Sequence, residues 1–132
     1  MDEPTHWHYE REERVLRSEN VVRNYHQLWT QRDMGAARSY LADGLDFQGP
    51  IDTFSSADDF IATLTGFAQM LTRVDLLQEF YADDGAALLY DCVTSTPAGT
   101  IRTAEFFGLR DGKIASIRLV FDATALRQVM SG

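Results

Sequence analysis

Cysteine, lysine and proline are scarce in this chain, and each scarcity closes off a class of protein. Cys92 is the only cysteine, so there is no internal disulfide and no thiolate metal cluster. A reduced compartment, most simply the cytoplasm, is expected. Lys113 is the only lysine, and with eleven scattered arginines it leaves a net charge of −8 over 132 residues. That balance argues against nucleic acid, which needs clustered cations, and against an acidic membrane surface. No apolar run reaches the length of a membrane span. Met1 to Glu13 lacks the apolar core of a secretory signal. There are three prolines, and no linker, repeat or low-complexity stretch is evident. What remains is ordinary globular material, 45% hydrophobic and 24% charged, enough for one compact domain. The expected division is a polar N-terminal arm over residues 1–13 and a single domain over 14–130.

The arm contains His6-Trp7-His8. A His-x-His pair binds metal only with a third fixed ligand, so the arm is read as leading into a helix, with no metal. From about Arg14 to Gln31, Val15, Val22, Tyr25 and Trp29 form one helical stripe flanked by Val21 and Leu28. Asp33 reads as the N-cap of a short second helix. Ala42-Asp43-Gly44 ends it, and Leu45 to Gln48 is a short strand closed by Gly49-Pro50. Ser56-x-x-Asp59 resembles a capping box and opens a third helix with Phe60, Leu64, Phe67 and Leu71 on one face. Then the period becomes two. Val74 to Tyr81, Ala86 to Thr94, Thr100 to Arg110 and Lys113 to Asp122 read as strands of an antiparallel meander, and Ala123 to Met130 as a last helical turn. Helices followed by a meander make an α+β fold, and a curved sheet wrapped on helices leaves a cavity.

The organising stretch is Ile101 to Asp122. Asp111-Gly112 between two apolar-rich runs is a strong hairpin signal. Side chains alternate along a strand, so Ile101, Thr103, Glu105, Phe107 and Leu109 share one face, and Ile117, Leu119 and Phe121 share one. In the preceding strand Leu89, Asp91 and Val93 oppose Leu88, Tyr90, Cys92 and Thr94. Both faces of the sheet are apolar enough to be covered. One takes the helices, and the other suits a second subunit, with Tyr90, Phe106 and Val120 as candidate contacts.

The hairpin, with Ala104-Glu105-Phe106-Phe107 before the turn and Asp111-Gly112-Lys113-Ile114 after it, resembles the nuclear transport factor 2-like superfamily. Within it the chain is similar to the SnoaL-like branch of polyketide cyclases, ketosteroid isomerases and limonene-epoxide hydrolases. The resemblance implies a cone, a cystatin-like α+β roll. A strongly bent antiparallel sheet packs on three helices from the N-terminal half, often dimeric through the outer sheet face. It also implies that Asp91, Glu105 and Leu119 look into the cone. The isomerases' oxyanion-hole tyrosine falls on Tyr25 and their oxyanion-hole acid on Glu105, whereas their general base falls on Gly49. The epoxide hydrolases' strand aspartate falls on Asp91, but their arginine falls on Leu89 and their second aspartate on Leu119. The acid of the polyketide cyclases would be Asp91 or Glu105.

The resemblance therefore implies a cofactor-independent site with Tyr25, Asp91 and Glu105 as catalytic groups. Its walls would be Val22, Trp29, Phe47, Phe60, Leu64, Phe67, Leu89, Phe107, Leu119 and Phe121. The expected ligand is an apolar small molecule. A protonated Glu105 beside Tyr25 would hold a carbonyl or enolate oxygen and Asp91 would move the proton, as isomerases, cyclases or lyases require. The alternative is a non-catalytic dimer that binds a ligand or docks a protein. His26, next to Tyr25, is read as pointing to solvent, and Cys92 as lying on the outer face.

Overall fold

The computed structural model describes residues 3–131, with side chains from residue 10 onward; His6 and His8 lie outside those described side chains. α1 (Glu3–Thr30) starts well before the expected Arg14. Its buried stripe is Ser18, Val22, Tyr25, His26 and Trp29, spaced by three and four residues as one helical face requires. His26 is thus 6% exposed, which corrects its expected solvent position: it lies four residues after Val22 and three before Trp29, on the same face. α1 ends by a reversal in which Asp33 N–H donates to Leu28 O and Arg32 N–H to Trp29 O, at 2.9 and 3.0 Å. Arg32 takes the left-handed conformation there, at φ 67°, where glycine is usual. Its guanidinium in turn donates to Ala68 O and Leu71 O, tying the end of α1 to the next helix and strand.

α2 (Met34–Arg38) has Asp33 as N-cap, the carboxylate accepting from Ala36 N–H. β1 (Leu41–Gln48) is longer than expected, and β2 (Thr53–Phe54) is an addition beside it. α3 (Ala57–Ala68) is capped by Ser56, whose hydroxyl accepts from Asp59 N–H. The meander follows as β3 (Leu71–Tyr81), β4 (Gly85–Thr94), β5 (Thr100–Arg110) and β6 (Lys113–Val120), and α4 (Thr124–Ser131) closes the chain. At the β5–β6 turn, Asp111 and Gly112 have φ 54° and 77°, the pair of left-handed residues that an Asp-Gly hairpin supplies.

The six strands form one sheet in the order β2-β1-β6-β5-β4-β3. All neighbours are antiparallel except β1 and β6, which pair in parallel. α1 crosses one face of this curved sheet over β3, β4 and β6, and α3 packs on β1. The core lies between, with Trp29, Tyr25, Leu41, Leu45, Ile114, Ile117 and Val22 as its largest fully buried side chains.

The phase of β4 against β5 differs from the expected one. Tyr90 stands opposite Thr103, Leu88 opposite Glu105 and Asp91 opposite Arg102. Residues directly opposite share a face, so Leu88, Tyr90 and Cys92 look inward with Glu105, while Leu89 and Asp91 look outward. Parity is fixed within a strand, but the phase between strands is set by the connection. Here it is the Ser95–Gly99 turn, where Thr94 donates its hydroxyl and its N–H to Gly99 O. β6 keeps the expected phase, with Leu119 opposite Glu105 and Ile117 opposite Phe107.

Candidate functional site

Glu105 sits mid-way along β5 on the inward face, 3% exposed. The Tyr90 hydroxyl donates to its Oε1 at 2.8 Å. A carboxyl that loses water and gains one donor is left under-solvated in its charged form. Burial therefore pushes Glu105 up to about 7, and the Tyr90 hydrogen bond pulls in the other direction without cancelling it. Tyr25 reaches the same region from α1, 1% exposed and edge-on to Phe107 with ring centroids 6.1 Å apart. Burial first, and then the charge of Glu105, hold its phenol well above the usual value. Tyr90 is raised in the same way by burial and by Glu105. Both phenols stay protonated at neutral pH, and the Tyr90 proton is already committed to Glu105.

These groups line an inner chamber of about 50 Å³ formed by Tyr25, Trp29, Tyr90, Cys92, Thr103 and Glu105, together with apolar walls. Phe47, Phe60, Leu64, Phe67, Leu119 and Phe121 line this chamber and also an outer one of about 290 Å³. The outer chamber is bordered by Gly49, Pro50, Ile51, Asp52, Met70 and, from α4, Leu126 and Met130. Arg127 of α4 donates to Pro50 O at 2.7 Å and so fastens the last helix to this rim. The result is a small polar end under a larger apolar vestibule.

Of the expected catalytic groups, Tyr25 and Glu105 come together and Asp91 does not. Asp91 lies on the outer face in a two-pronged pair with Arg102, at 2.8 and 2.9 Å, which holds its carboxyl below the usual range. It has no route to the chamber through the sheet. Among the expected wall residues, Leu89 shares that outer face. Val22 and Phe107 are core residues beside the chamber, and the other seven line it. Gly49 stands at the rim, where a Cβ would meet the Phe47 ring at 3.1 Å; the packing of Phe47 leaves little room for a side chain there.

Three inward residues were missed from the sequence. Tyr90, read as an outer contact, is 3% exposed and is the hydrogen-bond partner of Glu105. Cys92 is also inward, with its thiol pushed up to about 12 by burial and then by Glu105, and it lines the chamber wall. His26 packs against Tyr90 and Trp29, ring centroids 5.0 and 5.7 Å away. Burial lowers it to about 4 against the opposing pull of Glu79, so it is neutral at pH 7. The signal for Tyr90 and Cys92 was the length of the Ser95–Gly99 turn, which strand parity alone does not use. Among the described residues no three His, Cys, Asp or Glu side chains gather in a way that could hold a metal ion, and no helix is long and apolar enough to cross a membrane.

Comparison with known proteins agrees with this architecture. Residues 22–117 match the model of the SnoaL-like domain. A crystal structure of a protein from Kribbella flavida DSM 17836 is similar at TM-score 0.79 and 30% identity, over 85% of this chain and 92% of that one. A candidate ketosteroid isomerase from the same organism is similar at TM-score 0.70 and 12% identity, over 82% and 79% of the two chains. A Silicibacter pomeroyi DSS-3 protein with a cystatin-like fold is similar at TM-score 0.73 and 18% identity, over 84% and 82%. No curated protein matches the chain. With the family model covering most of the domain, and with this sheet and these helices, the chain belongs to the SnoaL-like family of the nuclear transport factor 2-like superfamily.

Proposed function

We propose that this protein binds an apolar small molecule in the two-chamber cavity, with an oxygen of the ligand held at Tyr25, and that Glu105 moves a proton on the bound carbonyl compound. The observation that carries this reading is Glu105 itself. It is a fully buried carboxyl at the narrow end of an apolar cavity, raised to about 7 by burial, so both its acid and base forms are populated near neutral pH. Tyr25 would donate to the carbonyl oxygen, ionised Glu105 would take a proton from the carbon beside the carbonyl, and the neutral Glu105 so formed would return it to that carbon. With Gly49 in the base position and Asp91 on the outer face, Glu105 is the carboxyl lining the inner chamber, so the chemistry in reach is enolisation at one carbon rather than transfer between two distant ones.

The test is deuterium exchange at the carbon beside the carbonyl of 2-acetonaphthone in D₂O, with binding followed in parallel by tryptophan fluorescence. Exchange that the protein accelerates and Glu105→Gln abolishes supports catalysis. Binding with no accelerated exchange supports a second reading, a non-catalytic ligand-binding protein of the same fold. The outward position of Asp91 and the glycine at position 49 favour that second reading. No binding at all removes both.

We also propose that two copies pair through the outer sheet face. Phe80, Phe106 and Val120 are 63, 50 and 57% exposed there. Phe80, Ala87 and Phe106 form one cross-strand row, and Leu89, Ala104 and Val120 the next. These apolar stretches, bounded by Arg118 on one row and Gln78 on the other, are the kind of surface that subunits cover.

A further inference from the structure

Trp29 presents a polar atom that has no partner among the described residues. Its indole is 2% exposed, and Nε1 is buried without an acceptor among the described residues. An indole N–H is a donor only, and a buried donor left unpaired costs about 1–3 kcal/mol. Such a group asks for an explanation. Trp29 lines the inner chamber together with Tyr25 and Glu105. Its ring is held edge-on by Tyr90 at 6.1 Å and by His26 at 5.7 Å; neither accepts from Nε1, and His26 Nδ1 is likewise buried without a partner among the described residues.

We propose that the indole N–H of Trp29 is a ligand-binding donor of the inner chamber, and that the ligand brings the acceptor, a carbonyl oxygen. This rests on the reading of the cavity as a ligand site and adds to it a residue and a polarity. Trp29, unlike Glu105, cannot accept a proton, so it selects for ketones, aldehydes or esters over hydrocarbons of the same shape. An alcohol can satisfy it only through its oxygen lone pair. Tyr25 and Trp29 are one helical turn apart on α1, so both side chains reach the chamber wall from the same helix, across from β5 with its carboxyl.

The experiment is ¹H–¹⁵N NMR of the indole resonances on adding 2-acetonaphthone or 2-ethylnaphthalene, a pair that differs in the oxygen. The chain has two tryptophans, so Trp29→Phe identifies the resonance. The expected result is a downfield shift of the Trp29 indole proton with the ketone and little movement with the hydrocarbon. Trp29→Phe is expected to weaken ketone binding about threefold to tenfold more than it weakens hydrocarbon binding. Binding of the ketone with the indole proton unmoved overturns the assignment while the ligand site stands. If neither compound binds, the ligand site fails and the assignment with it. The wild-type spectra decide the matter even if Trp29→Phe does not fold, because Trp7→Phe assigns the two indole resonances by elimination.

Discussion

Replacing Glu105 by Gln is expected to stabilise the protein at neutral and alkaline pH. Gln keeps the shape of Glu and an oxygen that can accept from Tyr90, but it cannot ionise. In the folded protein Glu105 sits at about 7 against an ordinary 4.5. Its contribution to stability is therefore fully present below about 4.5 and is lost as the pH rises through about 7, because the unfolded chain ionises first. At about 1.4 kcal/mol per pH unit, the loss reaches roughly 3 kcal/mol by pH 8. The groups that face Glu105 are Tyr25 from α1 and Tyr90, Cys92 and Thr103 from β4 and β5; no cation among them offsets the loss.

Urea unfolding at intervals from pH 5 to 8 measures this, with Glu105→Gln compared against the wild type at each pH. In the difference, the contributions of other titrating groups largely cancel. The midpoint gap should widen by roughly 1–2 M urea as the pH rises, for a slope of about 1.5–2 kcal/mol per molar. A gap that stays constant across the range would refute the reasoning, since Glu105 would then ionise as easily folded as unfolded.

The remaining predictions concern other sites. His26, lowered to about 4 by burial, has the opposite sign to Glu105: its contribution is present above 6.5 and lost as the pH falls through about 4, so His26→Phe should gain on the wild type as the pH drops from 7 to 5 in the same urea series. Asp91→Asn should leave binding of 2-acetonaphthone within twofold of the wild type, because Asp91 faces Arg102 outside the cavity; a large loss would place it in the site after all. Phe106→Asp should convert the expected dimer to a monomer by sedimentation velocity while circular dichroism stays native. Gly85→Ala should lower stability, since its Cβ would stand 2.8 Å from Phe107 O, a backbone atom of the adjacent strand; thermal unfolding reads this directly.

Local signals carried most of the fold. Asp33 and Ser56 cap the helices they were expected to cap, and Asp111-Gly112 makes the turn their φ preferences demand. The change from a period of 3.6 to a period of two located the meander to within a few residues. These features depend on neighbours in sequence. The phase of β4 does not: it depends on the geometry of Ser95–Gly99, and one residue of slip exchanges Tyr90 for Asp91 on the inner face. The proposed site was half legible for this reason. Glu105 and Tyr25 follow from the resemblance and from the stripe of α1, whereas Tyr90 required the actual register. β2 is a two-residue pairing with β1, too short for any periodicity to register.

The parallel pairing of β1 with β6 has a consequence for how the chain comes to life on the ribosome. Arg118 donates to Asp46 O and pairs with the Asp46 carboxylate across 72 residues of sequence. Phe47, a wall shared by both chambers, stands beside Ile117 in that same ladder. Helices α1 to α3 leave the tunnel first, but the strand against which β1 must lie is made almost last. Such a topology delays the closing contact and slows folding relative to a chain of local hairpins. The nascent N-terminal half exposes the apolar faces of α1 and β1 until β6 emerges, so a stalled or shortened chain would be sticky and without a cavity. Synthesis through β6, then of Phe121 and of Leu126 and Met130 in α4, is what completes the cavity of this sequence.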